Sequence, residues 1–135
     1  MLKNEKGQAV APKTVTMTKK DFEDQGNTRV YWLGGGGAMI NDHGTVIMID
    51  PLLEGFDMPL LIDMPIDVKD VPHVDAILVS HVDNDHYSRP TCRDLKAVCK
   101  EYHTSYYVAS LMKEECDVDG IGHDIGDHIQ INDID

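Results

Sequence analysis

The sequence has 135 residues, of which 41% are hydrophobic and 27% charged, a balance that fits one globular domain and excludes disordered and fibrous classes. Its formal net charge of −12 repels a phosphate backbone and leaves no basic stripe, so nucleic acid is not an expected partner, whereas a small anionic substrate beside a metal remains compatible. The longest apolar runs, 46–49 and 76–79, fall far short of the roughly 18 residues of a membrane span, and the N-terminus has no secretory core; no membrane contact and a cytoplasmic location are expected.

Residues 1–15 read as a polar arm, and 16–135 as the folded part. Thr18 is placed to cap a short helix over 19–24, after which Gly26 and Asn27 precede a strand over 28–33. Four glycines, Gly34 to Gly37, read as a flexible turn; no phosphate-loop spacing or following helix accompanies them. Residues 38–40, the turn Asn41-Asp42-His43-Gly44 and the β-rich run 45–49 then predict an antiparallel hairpin or meander. From 52 to 72 periodicity is lost and prolines recur, which predicts a long surface excursion.

The apolar run 75–80 predicts a strand buried on both faces. Pro90 suits the first turn of a helix to about Tyr102, because Cys92, Leu95, Val98 and Tyr102 recur at helical spacing. A strand over 105–109, a helix capped by Ser110 to about Glu115, and a strand over 129–131 complete an α/β pattern behind the β meander. The three cysteines, Cys92, Cys99 and Cys116, have no C-x-x-C spacing and read as buried or half-buried thiols.

Chemistry concentrates in Ser80-His81-Val82-Asp83-Asn84-Asp85-His86. In an extended chain His81, Asp83 and Asp85 point one way, and a turn brings His86 to them, so two imidazoles and two carboxylates gather as divalent-metal donors at a strand end. A charged loop that merely caps the strand is the plain alternative. An EF-hand frame, with Asp83, Asp85 and Asp94 at its first, third and twelfth positions, fails because Ser88 replaces its glycine, Asp94 its usual glutamate, and a strand precedes it.

These residues resemble the metallo-β-lactamase-fold hydrolases, whose signature is H-x-H-x-D-H after a buried strand; here it is H-x-D-x-D-H. Trp32-Leu33-Gly34-Gly35, Ile47-Met48-Ile49-Asp50-Pro51 and Gly126-Asp127 match the surrounding pattern, and the resemblance covers about residues 15–135. Within that superfamily the chain looks most similar to the branch containing L-ascorbate-6-phosphate lactonase. The resemblance implies an αββα sandwich of which this chain supplies about the N-terminal half. It makes His81 and Asp83 ligands of one metal and Asp85 and His86 ligands of a second, with Asp85 also the catalytic carboxylate and Asp50 a structural support. Asp83 replaces a neutral nitrogen with an anionic oxygen, so Mn²⁺ or Zn²⁺ are both expected cofactors. The implied activity is metal-dependent hydrolysis of an ester-like bond, such as the lactone of a phosphorylated sugar acid, completed by the other half; a phosphodiesterase or nuclease on the same fold, or a non-catalytic binding or assembly half-domain, are the alternatives. A half-fold exposes one sheet face, which predicts a homo-oligomer.

The remaining histidines read as non-ligands: His43, His73 and His103 lie in turn, loop and helix-end contexts, and His123 and His128 in a loop. Tyr102, Tyr106 and Tyr107 read as packing residues.

Overall fold

In the computed structural model, which describes residues 2–11 and 13–135, the front of the sheet is the meander that its turn residues predict. Strand β1 (Thr28–Gly34) pairs antiparallel with β2 (Gly37–Asp42), and β2 with β3 (Thr45–Ile49). Gly34 and Gly35, at φ 102 and 55, make the first turn as tight as it is, a conformation that costs a residue with a Cβ. Buried Asn41 locks the second: its amide donates to the carbonyls of Asp21 and Glu23, and its oxygen accepts from Gly44 N, each at 2.8 Å. Those carbonyls belong to and follow a 3₁₀ turn, Lys19–Phe22, shorter than the expected helix, in which Thr18 N donates to Asp21 Oδ2 at 2.7 Å. Phe22 is wholly buried there.

Residues 52–72 contain no strand and only one 3₁₀ turn, Val68–Asp70, yet they are not simply a surface excursion. Leu52, Leu53, Ile66 and Val71 are buried, so the segment is a clasp over one sheet face that loses periodicity because isolated side chains anchor it. The chain returns as β4 (Val74–Leu78), which pairs parallel to β3 in the register Ile47↔Ala76 and Ile49↔Leu78.

Behind β4 the structure corrects three expectations. The helix from Pro90 ends early: α1 (Arg89–Asp94) is followed by a turn and by β5 (Cys99–Ser105), parallel to β4 with Leu78↔His103. Tyr102, assigned by spacing to the helix, is on β5, and its hydroxyl donates back to Cys92 O at 2.8 Å. Helical and extended arrangements both bury Cys92, Leu95 and Tyr102 on one side, and only the unpaired edge of β4 decides between them. The expected strand 105–109 is instead the start of α2 (Tyr106–Cys116), capped by Ser105 rather than Ser110; Val108, Met112 and Cys116 form its buried stripe. The last strand is β6 (Ile121–His123), parallel to β5, while Ile131 makes only a bridge to Ile134 where the strand 129–131 was expected.

The sheet thus runs β1 to β6 in chain order, antiparallel in front and parallel behind. Both helices, the clasp and the 3₁₀ turns pack on one face around Met48, Ile77, Leu95, Val108 and Met112. The other face carries a smaller cluster, Ile47, Ala76 and Ile131 with Ile40, Leu78, Ile129 and Ile134. Val30 and Trp32 are 71% and 65% exposed on β1. Their register partners, Ile40 and Ala38, lie on the side of Ile47, so an apolar strip continues from the small cluster to the sheet edge.

Candidate metal centre

Parallel pairing of β3 and β4 places Asp50 and Ser80 side by side at the carboxyl ends of the strands, where open α/β sheets carry their sites. Asp50 N donates to Leu78 O at 2.9 Å, which pins the chain as it leaves β3 at φ 44, a left-handed conformation tolerated better by Asp than by most residues. The Asp50 carboxylate is buried and accepts three hydrogen bonds: from Ser80 N at 2.7 Å, Ser80 Oγ at 2.6 Å and His86 Nδ1 at 2.8 Å. Ser80 Oγ, its proton committed to Asp50, accepts from His81 Nδ1 at 2.9 Å.

One carboxylate therefore sets the tautomer of two imidazoles. In the neutral rings both Nδ1 atoms carry the hydrogen, directly against Asp50 or through Ser80, and both Nε2 atoms keep the lone pair. The Asp50 hydrogen bond raises the His86 pKa above the ordinary imidazole value, against a smaller opposing effect of desolvation. The two rings lie 4.1 Å apart between centroids. His81 Nε2 is 3.3 Å from Asp83 Oδ2, and His86 Nε2 is 3.6 Å from Asp85 Oδ2.

The four donors do not meet by strand alternation, as the sequence suggested. His86 N and Tyr87 N both donate to Asp83 O, at 2.9 and 2.7 Å, so residues 83–87 form a tight turn that folds His86 back toward His81. Asp83 and Asp85 project outward, their side chains 70% and 56% exposed, while His86 is 26% exposed. Two anchors hold the turn. Tyr87 is wholly buried, with its hydroxyl 3.4 Å from Cys116 Sγ on α2, and burial pushes its pKa well up. Arg89 lies over the Tyr87 ring and donates to Asn84 Oδ1 at 2.9 Å and Glu115 Oε2 at 2.7 Å.

The glycine run has a steric role near this centre. A Cβ at Gly36 would stand 2.9 Å from His86 Cε1, so the β1–β2 hairpin lies directly against the imidazole only because that atom is missing. The run was legible as a turn; its contact with a residue fifty positions away was not.

Sequence reasoning also missed a second polar group. His103 is on β5, not at a helix end, and is 5% exposed; His123 is on β6, not in a loop. Parallel pairing of these strands sets His103 Nδ1 2.9 Å from His123 Nε2, and Glu101 Oε2 lies 2.9 Å from His103 Nε2. The only signal available was two histidines on short β-like runs, too weak to use without the topology. His128 is exposed, and His73 Nε2 approaches Gly44 O at 3.3 Å. The thiols behave as expected: Cys92 and Cys116 are buried and Cys99 half-buried, and burial pushes Cys92 up to about 12 and Cys99 to about 11.

A divalent cation fits this donor set in its chemistry. The Nδ1 atoms are held from behind by a carboxylate and a hydroxyl, the arrangement that orients ligating histidines, and carboxylate oxygens stand beside the free Nε2 atoms. Among the described residues no group of three or more His, Cys, Asp or Glu side chains is gathered into a coordination shell, so the chain presents donors in pairs.

No protein-family model matches the chain, and no curated protein matches it. Its structure is similar to that of the diiron beta-hydroxylase CmlA of Streptomyces venezuelae, with a TM-score of 0.63 at 14% identity over 78% of this chain and 22% of that one. It is similar also to an isothiocyanate hydrolase from Delia radicum gut bacteria (TM-score 0.55, 21% identity, 74% and 43% coverage). A metallo hydrolase from the archaeon Ignicoccus hospitalis gives a TM-score of 0.54 at 16% identity, with 79% and 44% coverage. The chain thus spans less than half the length of each of these proteins. The likeness shows a metallo-β-lactamase-like α/β fold, as the sequence suggested, here in one sheet with helices on one face. No helix among the described residues is long and apolar enough to cross a membrane.

Proposed function

We propose that the chain carries part of the active site of a metal-dependent hydrolase, in which His81, Asp83, Asp85 and His86 are metal donors and Asp85 also orients the attacking water. The observation that carries this reading is the Asp50 carboxylate, which holds the Nδ1 hydrogen of His86 directly and that of His81 through Ser80, leaving both Nε2 atoms free to ligate. Similarity in fold to proteins described as a metallo hydrolase and as a diiron enzyme supports a metal-dependent reading. Mn²⁺ and Zn²⁺ are the proposed ions, with iron a third, because Asp83 adds a hard oxygen to the imidazoles.

A bound divalent ion supplies polarisation of the scissile carbonyl and acidifies a water molecule. The chain's own part is positional. Asp50 and Ser80 fix ring orientation, the turn 83–87 sets His86 beside His81, and exposed Asp85 takes a proton from water. The substrate proposed is a small molecule with an ester-like or lactone bond. A phosphorylated sugar lactone is the less favoured form, since the described lining of the cleft next to Ser80 includes no lysine or arginine.

The test is metal analysis of the protein together with hydrolysis of lactones and phosphodiesters under Mn²⁺, Zn²⁺ and Fe²⁺. Stoichiometric metal lost on changing Asp85 and His86 to Ala together, with lactone turnover, is the expected result; metal content unchanged by that double substitution refutes the site.

A further inference from the structure

The cleft beyond Ser80 has a volume of about 360 Å³ and is bounded by an apolar surface that includes Leu78, Ile125 and Ile129. One wall is polar, built from His103 and His123, and the cleft reaches Ser80, whose hydroxyl holds His81. It therefore borders the candidate metal centre at the carboxyl ends of β4, β5 and β6, and it joins an apolar surface to a few convergent polar groups, as small-molecule sites do.

The hydrogen-bond order of the wall follows from its distances. A carboxylate only accepts, so the contact of 2.9 Å between Glu101 Oε2 and His103 Nε2 places a hydrogen on that nitrogen. His103 Nδ1, in the neutral ring, is then an acceptor, and the contact of 2.9 Å to His123 Nε2 places the hydrogen on His123. Neutral His123 is left with a lone pair on Nδ1. Asp127 Oδ2 stands 3.8 Å from that atom, beyond hydrogen-bond length, and offers it no donor. Among the described residues the series Glu101, His103, His123 thus ends on a partly exposed acceptor that takes no hydrogen bond, and its middle member is 5% exposed.

We propose that this cleft binds a small molecule with an apolar body and one hydroxyl group, and that the hydroxyl donates to His123 Nδ1. His123 is the ligand contact, His103 and Glu101 are positioning residues that fix its tautomer, and Ile125, fully exposed at the rim, is covered by the ligand. As the substrate's seat the cleft rests on the hydrolase reading above; as a binding site it does not.

Binding is read from the histidine-ring nitrogen resonances of the full chain, titrated without metal with methyl 3-hydroxyoctanoate, methyl octanoate and glucono-δ-lactone. The hydroxy ester is expected to shift the His123 and His103 rings and to bind about tenfold more tightly than methyl octanoate, the worth of one hydrogen bond. His123→Phe should abolish that preference, and His103→Phe should weaken it while leaving methyl octanoate unchanged. His128→Gln, at an exposed position, is the control for folding and should bind as the parent does. Equal binding of the two alkyl esters, a preference that survives His123→Phe, or binding of the sugar lactone alone would overturn the proposal. Because no turnover is measured, loss of the hydrolase reading leaves this result standing, and the reverse also holds.

Discussion

Asp50 holds together a fold contact and a site contact, and two substitutions separate them. Asp50→Ala removes the acceptor of Ser80 N, Ser80 Oγ and His86 Nδ1 and puts a Cβ-bearing apolar residue at φ 44. Leaving a buried amide hydrogen unpaired costs about 1–3 kcal/mol. Loss of a side chain that tolerates the left-handed region adds about 1 kcal/mol. The sum, about 2–4 kcal/mol, corresponds to a fall in Tm of roughly 8–16 °C at about 4 °C per kcal/mol. Asp50→Asn keeps the shape, the left-handed tolerance and one oxygen for Ser80 N, but its amide presents hydrogen to His86 Nδ1. That forces the His86 hydrogen onto Nε2, the atom proposed to ligate the metal. Its expected stability loss is about 1 kcal/mol or less, with a loss of metal affinity of about 10–100-fold. Urea denaturation gives the first quantity, and competition with a chelator for Zn²⁺ or Mn²⁺ gives the second. Retention of full stability by Asp50→Ala, or of full metal affinity by Asp50→Asn, refutes the role assigned to this carboxylate.

Gly36→Ala introduces a Cβ 2.9 Å from His86 Cε1, so the ring must swing off Asp50; ring resonances of His86 should move and metal affinity should fall about tenfold or more, while an unmoved ring would show that the hairpin yields instead. Met112→Ala, at a wholly buried position of α2, should cost about 2–5 kcal/mol in denaturant unfolding. Glu54 has its pKa raised by desolvation first and by Asp94 next, so its native state favours the protonated carboxyl. The stability it contributes is complete below the ordinary glutamate pKa and is lost as pH rises through the higher folded value. Glu54→Gln should therefore raise Tm at pH 7 and lose that advantage near pH 4; an advantage equal at both values refutes the assignment.

The acidic residue after β3 and the meander were legible in the sequence because each is a local property. Asn41 to Gly44 and the glycine run specify turns, and apolar alternation specifies strands. The segment 95–109 was not legible. Cys92, Leu95, Val98 and Tyr102 satisfy a helical period and Tyr106 to Val108 a strand propensity, yet the open edge of β4 draws 99–105 into the sheet and Ser105 starts the helix behind it.

That pairing decides the rest. Parallel registers set Asp50 against Ser80 and His103 against His123, and a turn at Asp83, not strand alternation, returns His86 to His81. The sequence by itself determined which imidazoles and carboxylates lie together along the chain and where the chain turns, since these depend on neighbours within a few residues. Which nitrogens carry hydrogen, which glycine must lack a Cβ and which histidines share a proton were decided only by the tertiary structure, because each depends on an atom brought within 3 Å from 20 to 50 residues away.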